Sequence, residues 1–139
     1  MRPIDGLWRT IMDDLMLYIV RGIPGSGKSQ IAEILAPEHH YEANDYFYNA
    51  KTGEFKYNPY ELDKAHKKCF KNVENAMMKG VPKIAVANTF VKKWEYEPYV
   101  ECATKLGYTV FIIICKGSFI SPHDIPDTKI RNMMQNFEY

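Results

Sequence analysis

The sequence is short of arginine, short of cysteine and nearly balanced in charge, and each shortage removes a class of function. Its 139 residues carry 18 Lys and Arg against 17 Asp and Glu, a net charge of +1. No global field draws such a chain to nucleic acid or to a membrane surface, so any basic binding face must be local. The three cysteines, Cys69, Cys102 and Cys115, include no close pair. Reduced thiols in a cytoplasmic protein are the expectation. No uninterrupted apolar run approaches the ~18 residues of a membrane span. Asp5, Asp13 and Asp14 speak against a signal peptide or anchor, so no membrane partner is expected. Repeats and low-complexity tracts are absent as well. At 46% hydrophobic and 25% charged, what remains is the composition of one ordinary globular domain, residues 1–139.

Against that plain background stands Gly22-Ile23-Pro24-Gly25-Ser26-Gly27-Lys28-Ser29, which meets every position of the pattern G-x-x-x-x-G-K-[ST]. Gly22, Gly25 and Gly27, with Pro24 and Ser26 between them, let successive backbone N–H groups turn inward around a phosphate. Lys28 brings a cation to the β- and γ-phosphates, and the Ser29 hydroxyl is placed to ligate Mg²⁺. A helix starting at Lys28 adds its positive dipole end to the same anion. The setting agrees: Leu15 to Val20 is a continuous apolar run suited to a buried parallel strand, and Lys28 to Leu35 reads as a helix stopped by Pro37. Its expected core side is Ile31, Ile34 and Leu35. ATP and Mg²⁺ are therefore the expected ligands.

The rest of the chain continues the rhythm. Residues 1–14 form an amphipathic lead-in. His39 to Ala43 reads as a second strand ending at Asn44-Asp45, and Glu61 to Lys79 as a long helix with Leu62, Ala65, Cys69, Val73, Ala76 and Met77 along its core face. Lys83 to Ala87 is a third strand, Trp94 to Leu106 a helix closed at Gly107, and Tyr108 to Cys115 a fourth strand. Residues 116–126 read as a short lid-like loop and Asp127 to Tyr139 as a closing helix. Strand alternating with helix predicts an α/β domain, a parallel sheet flanked by helices on both faces.

Ligands of such sheets sit beyond the carboxyl ends of the strands. That selects Asn44 and Asp45, then Asn88 and Thr89, then the loop that starts at Lys116. Phosphoryl transfer needs a group that orients or deprotonates the acceptor, a polar group near Mg²⁺, and cations around the moving phosphoryl. Asp45, Asn88 and Lys116 stand in those places in outline. His123, on the ligand side of the lid loop, can reach nucleotide or acceptor or can simply order the loop. Lys64, Lys67, Lys68 and Lys71 form a stripe that suits either a polynucleotide backbone or plain solvation. His66 with Cys69 reads either as packing or, with Cys102, as zinc ligands. Tyr46, Phe47, Tyr48, Phe55, Tyr57 and Tyr60 can stack an acceptor base or cover the core. Trp94 and Tyr99 read as packing residues.

Read together, R-G-I-P-G-S-G-K-S (21–29), E-A-N-D-Y-F (42–47), Ala65-His66 with Cys69, A-N-T-F (87–90), Trp94-Glu95 and Glu97-Pro98-Tyr99 resemble a known group. It continues through Gly107-Tyr108 to Phe119, His123 and Pro126. The chain resembles the small ATP-binding P-loop proteins of the AAA family related to the kinase domain of phage polynucleotide kinase, in their short-lid subgroup. The resemblance implies an ATP-dependent kinase acting on a hydroxyl, with an RNA or DNA 5′ end as the favoured acceptor and partner. Three departures qualify it. The general-base aspartate of the resembled pattern falls on Asn44, and an amide does not take a proton. Asp45 is the neighbouring substitute if the turn aims it inward. The acidic position of the third strand reads Ala87-Asn88, leaving Ser29 with the nucleotide oxygens and water to hold Mg²⁺. The lid carries no arginine, so Arg131 of the last helix is the remaining arginine for a phosphate contact. Two alternatives to the kinase follow: a nucleotide-binding regulatory module with weak or silent chemistry, and an NTPase whose acceptor is water. The protein partner and the source, bacterial or phage, are left open.

Overall fold

The computed structural model describes residues 14–117 and 125–139. The lead-in up to residue 13 and residues 118–124 of the lid-like loop, His123 among them, lie outside the described residues. Four strands, β1 (Met16–Arg21), β2 (His40–Tyr41), β3 (Lys83–Asn88) and β4 (Thr109–Ile114), form one sheet in the order β2-β3-β1-β4. Every pairing is parallel. Four helices lie between and after them: α1 (Lys28–Leu35), α2 (Leu62–Met78), α3 (Glu97–Lys105) and α4 (Asp127–Asn136). The chain is therefore a single-domain α/β fold with a parallel sheet covered by helices.

The two faces of the sheet are packed differently. On one, Leu17, Ile19, Ile84 and Val86 meet Ala65, Cys69, Val73 and Met77 of α2 and Tyr99 and Ala103 of α3. On the other, α1 sets Ala32 and Ala36 against Val20, Ala85 and Ala87. The expected core side of α1 is corrected here: Ile34 is 74% exposed, while Ala32 is fully buried. Alanine opposite alanine lets α1 lie close to β1 and β3. The P-loop joining β1 to α1 is thereby anchored at both ends by rigid, buried backbone. β4 has the strongest apolar pattern in the sequence but is an edge strand, and Phe111 and Ile112 remain partly exposed.

Other differences are local. The second strand is only two residues long, and Asn44-Asp45 belongs to a 3₁₀ turn, Ala43–Phe47, instead of a strand end. The helix expected from Trp94 begins at Glu97, with Pro98 in its first turn, and Trp94 is 69% exposed instead of packed. The closing helix stops at Asn136. Phe137 and Glu138 then turn back, and Glu138 N–H donates to Val91 O at 2.8 Å.

This return secures the base of the P-loop strand. Arg21, the last residue of β1, is 1% exposed. Its guanidinium lies over the rings of Tyr96 and Phe137, 4.9 and 4.5 Å from their centroids. Its Nε and Nη2 donate to Phe90 O at 3.0 and 2.8 Å, and Nη2 donates also to Glu138 O. Phe90 has a φ of 45°, unusual for a bulky residue, and these bonds hold it there.

Candidate active site

The P-loop has the backbone its sequence demands. Gly25 and Gly27 have φ of 82° and 91°, left-handed conformations that side chains disfavour. At Gly22 the constraint is space: a Cβ there would stand 2.2 Å from Ser26 Oγ and 2.9 Å from Cys115 O. Ser26 Oγ is buried under the loop with no hydrogen-bond partner among the described residues. α1 begins at Lys28 with no side chain capping its start and no acid in its first turn. Its free N–H groups and dipole end are thus left for an external anion.

Lys28 points the same way. Its Nζ donates to Ile23 O at 3.5 Å, and among the described residues no carboxylate lies within ion-pair distance. Burial pulls its pKa down, opposed by Glu42 and Cys115. A partly desolvated cation without a counter-ion is costly in the free protein and is relieved by a bound anion. The cradle therefore fits a nucleotide's phosphates.

Glu42, which sequence reasoning passed over as a site residue, stands opposite. Ser29 Oγ donates to Glu42 Oε1 at 2.8 Å. Burial raises the Glu42 pKa, with the Ser29 bond and Lys28 pulling it down and Asp45 pushing it up. β2 pairs with β3 at Tyr41 and Val86, so the next residues along, Glu42 and Ala87, are neighbours at the strand ends. A carboxylate just past the second strand thus occupies the neighbourhood of the acid absent from position 87. Ser29 and Glu42 offer hard oxygen donors of the kind Mg²⁺ takes. The signal for Glu42 was its place at the head of the 42–47 motif, one residue before the turn.

The loop, Lys28, Ser29 and Glu42 open onto a cavity of about 320 Å³. Asn44, Asn88 and Thr89 line it from the strand ends, and Phe55, Tyr57, Leu62 and His66 from the following segment and α2. Ile125, Pro126, Lys129 and Met133 close it from the start of α4. Asn44 is thus brought to the phosphate end. Asn88 also lines the cavity, but its carboxamide is bonded within the protein: Ala43 N–H donates to its Oδ1 at 2.8 Å, and its Nδ2 donates to Cys69 Sγ at 3.7 Å. It fixes the turn that presents Glu42 and Asn44.

Asp45 is not brought to the cavity. Its carboxylate accepts from Glu42 N–H at 3.0 Å, capping the 3₁₀ turn, and it faces a separate surface hollow with Lys68, Cys69 and Asn72. The turn's geometry sends successive side chains to different sides, so Asn44 and Asp45 diverge. Arg131 is exposed and does not line the cavity, whereas Lys129 does and lies over the Tyr57 ring, 5.7 Å from its centroid. The aromatic residues after β2 divide as well. Phe47 is buried among Tyr46, Phe55 and Tyr57, the latter two reach the cavity, and Tyr60 is 95% exposed. Burial pushes the Cys69 thiol up to about 11, against the lowering effect of its contacts with Tyr99 and Asn88. Among the described residues no group of three or more His, Cys, Asp or Glu gathers as a metal site.

Comparison with known proteins bears on the family and the fold. The sequence profile of a family described as an AAA domain matches residues 17–118. Human NEDD4-binding protein 2 is 33% identical over 100 residues, covering 69% of this chain but only 6% of that protein. Among solved structures, a gluconokinase from Sinorhizobium meliloti 1021 superposes with a TM-score of 0.58 at 14% identity, covering 89% of this chain and 75% of its own. A chain of the Pnkp1/Rnl/Hen1 RNA repair complex gives 0.60 at 16% identity, covering 89% of this chain and 44% of its own. A putative kinase from Chloroflexus aurantiacus gives 0.56 at 19%, covering 75% and 60%. At these identities the structures establish a kinase-like P-loop fold. No helix among the described residues is long and apolar enough to cross a membrane.

Proposed function

The chain belongs to the AAA-domain family, and on that footing we propose that it binds ATP with Mg²⁺ and transfers the γ-phosphate to a hydroxyl. The observation that carries this reading is the grouping of Lys28, the Ser29–Glu42 pair and Asn44 at one end of a cavity with room beyond them. An NTP-hydrolysing switch needs no such chamber past its phosphates, whereas a kinase must seat a second substrate there.

In this reading Gly22, Pro24, Gly25, Ser26 and Gly27 shape the phosphate cradle, and Lys28 neutralises charge on the β- and γ-phosphates. Ser29 and Glu42 would hold Mg²⁺, directly or through water, replacing the hydrogen bond they make to each other. The ion supplies charge neutralisation and orientation of the phosphate oxygens. Asn44 orients the acceptor hydroxyl with its amide. A polynucleotide 5′ end is the favoured acceptor. The ring-bearing part of the cavity lining and the fold shared with a chain of an RNA repair complex support it. The test is transfer of labelled γ-phosphate to 5′-hydroxyl oligonucleotides, nucleosides and small alcohols. Incorporation with none of them above a Lys28→Ala control would sink the proposal.

A second reading has its own observation. Asn44 stands where an acid is expected, and Asp45 is turned away into a capping interaction. That favours a nucleotide-dependent regulatory module with little chemistry. It predicts thermal stabilisation by ATP without transfer to any acceptor.

A further inference from the structure

Beside the polar groups of the P-loop the cavity has a lining of different character. Phe55, Tyr57, Leu62 and Met133 form an apolar wall, and His66 is set into it. Leu62 and His66 are four residues apart on α2 and so share one face, while Ala65 and Cys69 point to the core. His66 has no side-chain hydrogen bond among the described residues. An imidazole at the wall of a ligand cavity with neither ring nitrogen engaged is available to whatever enters.

We propose that this ring-lined part of the cavity is the acceptor subsite, that it takes a ring-bearing alcohol of nucleoside size, and that His66 accepts the proton of its hydroxyl. The inference rests on the kinase reading above. A cavity of about 320 Å³ lies at the small end of the ~300–1,000 Å³ of ligand sites, enough for one terminal unit beside the phosphate. The aromatic wall selects a ring over an open-chain polyol. Of the cavity-lining groups, Asn44 has no proton affinity to offer, Lys28 and Lys129 are cations, and Glu42 is committed to Ser29 and the metal. Asp45 faces elsewhere. Among the described lining residues, His66 is the remaining base.

The step balances. The acceptor oxygen forms a bond to the γ-phosphorus as the bond from that phosphorus to the β,γ-bridging oxygen breaks. ADP leaves with the electron pair, and the hydroxyl proton passes to the free ring nitrogen of His66 and then to water. Burial lowers the His66 pKa, while Glu95 of the 3₁₀ turn after β3 and Asp63 on its own helix raise it in part. Glu42, Lys28 and Lys129 share the cavity with it. The net lowering keeps the ring neutral, and so able to accept a proton, at neutral pH.

The experiment uses the full chain with ATP and Mg²⁺, and thymidine, a 5′-hydroxyl oligonucleotide, glycerol and gluconate as acceptors. The ring-bearing acceptors should exceed the open-chain ones at least ~10-fold in kcat/KM, and a preference for glycerol or gluconate overturns the subsite. The parent's rate should rise with pH as His66 loses its proton, and His66→Gln should lose that rise and lower kcat ~100-fold with ATP affinity unchanged. His66→Ala should regain activity with added imidazole, an effect that a packing role does not give. A His66→Gln protein with the parent's rate and pH profile overturns the assignment of His66 alone. A parent that transfers phosphate to no acceptor overturns the kinase reading, and the base assignment with it.

Discussion

Ser29 Oγ donates a hydrogen bond to Glu42 Oε1 at 2.8 Å, joining the last residue of the P-loop pattern to the residue that follows the second strand. The pair ties the phosphate cradle to the turn that carries Asn44. It also concentrates a carboxylate, a hydroxyl and the Lys28 ammonium in a partly buried space, an arrangement that costs stability until a ligand enters.

Glu42→Gln is expected to separate these two effects. The folded-state pKa of Glu42 is raised by burial, so the folded protein holds that proton more tightly than the unfolded chain does. Its favourable contribution is present at low pH and is lost as pH rises through the raised value. At neutral pH the glutamine protein should melt a few degrees higher without ligand. Its Mg²⁺-dependent gain in ATP affinity should fall ~10-fold. Calorimetry without ligand and titration with ATP, with and without Mg²⁺, check both.

Lys28→Met is expected to behave in the same sense. Burial lowers the Lys28 pKa, so the charged ammonium is destabilising in the free fold below that lowered value, and the cost is relieved as pH rises through it. Removing it should leave the free protein at least as stable while abolishing the upward shift in melting temperature that ATP gives the parent. Thermal melts with and without ATP show this directly.

Gly22→Ala should eliminate nucleotide binding for a steric reason. The added methyl meets Ser26 Oγ, which can rotate, and Cys115 O, which is backbone and cannot. Loss of the ATP-induced thermal shift is the expected result, and a parent-like shift would mean that the loop has room it does not show.

Arg21→Met should destabilise the fold by about 3 kcal/mol, because it strips the donors from the buried carbonyl of Phe90 and the partly buried carbonyl of Glu138. Removing residues 137–139 should act in the same direction. Urea denaturation of the two proteins, alone and combined, should show less than additive losses, as expected for one network.

The fold was largely legible in the sequence, and the reasons are local. An apolar run before Gly22, alternating helix and strand periods, and Gly107 closing a helix report on backbone preferences that the tertiary structure keeps. The buried side of α1 was misread because hydrophobicity favoured Ile31 and Ile34, whereas close packing on Ala85 and Ala87 chose Ala32 and Ala36. The site was legible in part. The P-loop residues follow from spacing, but Glu42, Lys129 and the cavity face of His66 depend on a two-residue strand and on how α4 crosses the opening. Arg21 was one of four arginines in the sequence, and nothing there marked it as the buried link to Glu138.

The most direct test of the account is a crystal structure of the chain with a non-hydrolysable ATP analogue and Mg²⁺. The account predicts the triphosphate in the Gly22–Ser29 loop, Mg²⁺ on Ser29 Oγ with the Glu42 carboxylate turned to the ion or its water, and the γ-phosphate facing Asn44 and the ring-lined chamber. A triphosphate bound elsewhere, or bound with Glu42 still hydrogen-bonded to Ser29 and no metal between them, would contradict it.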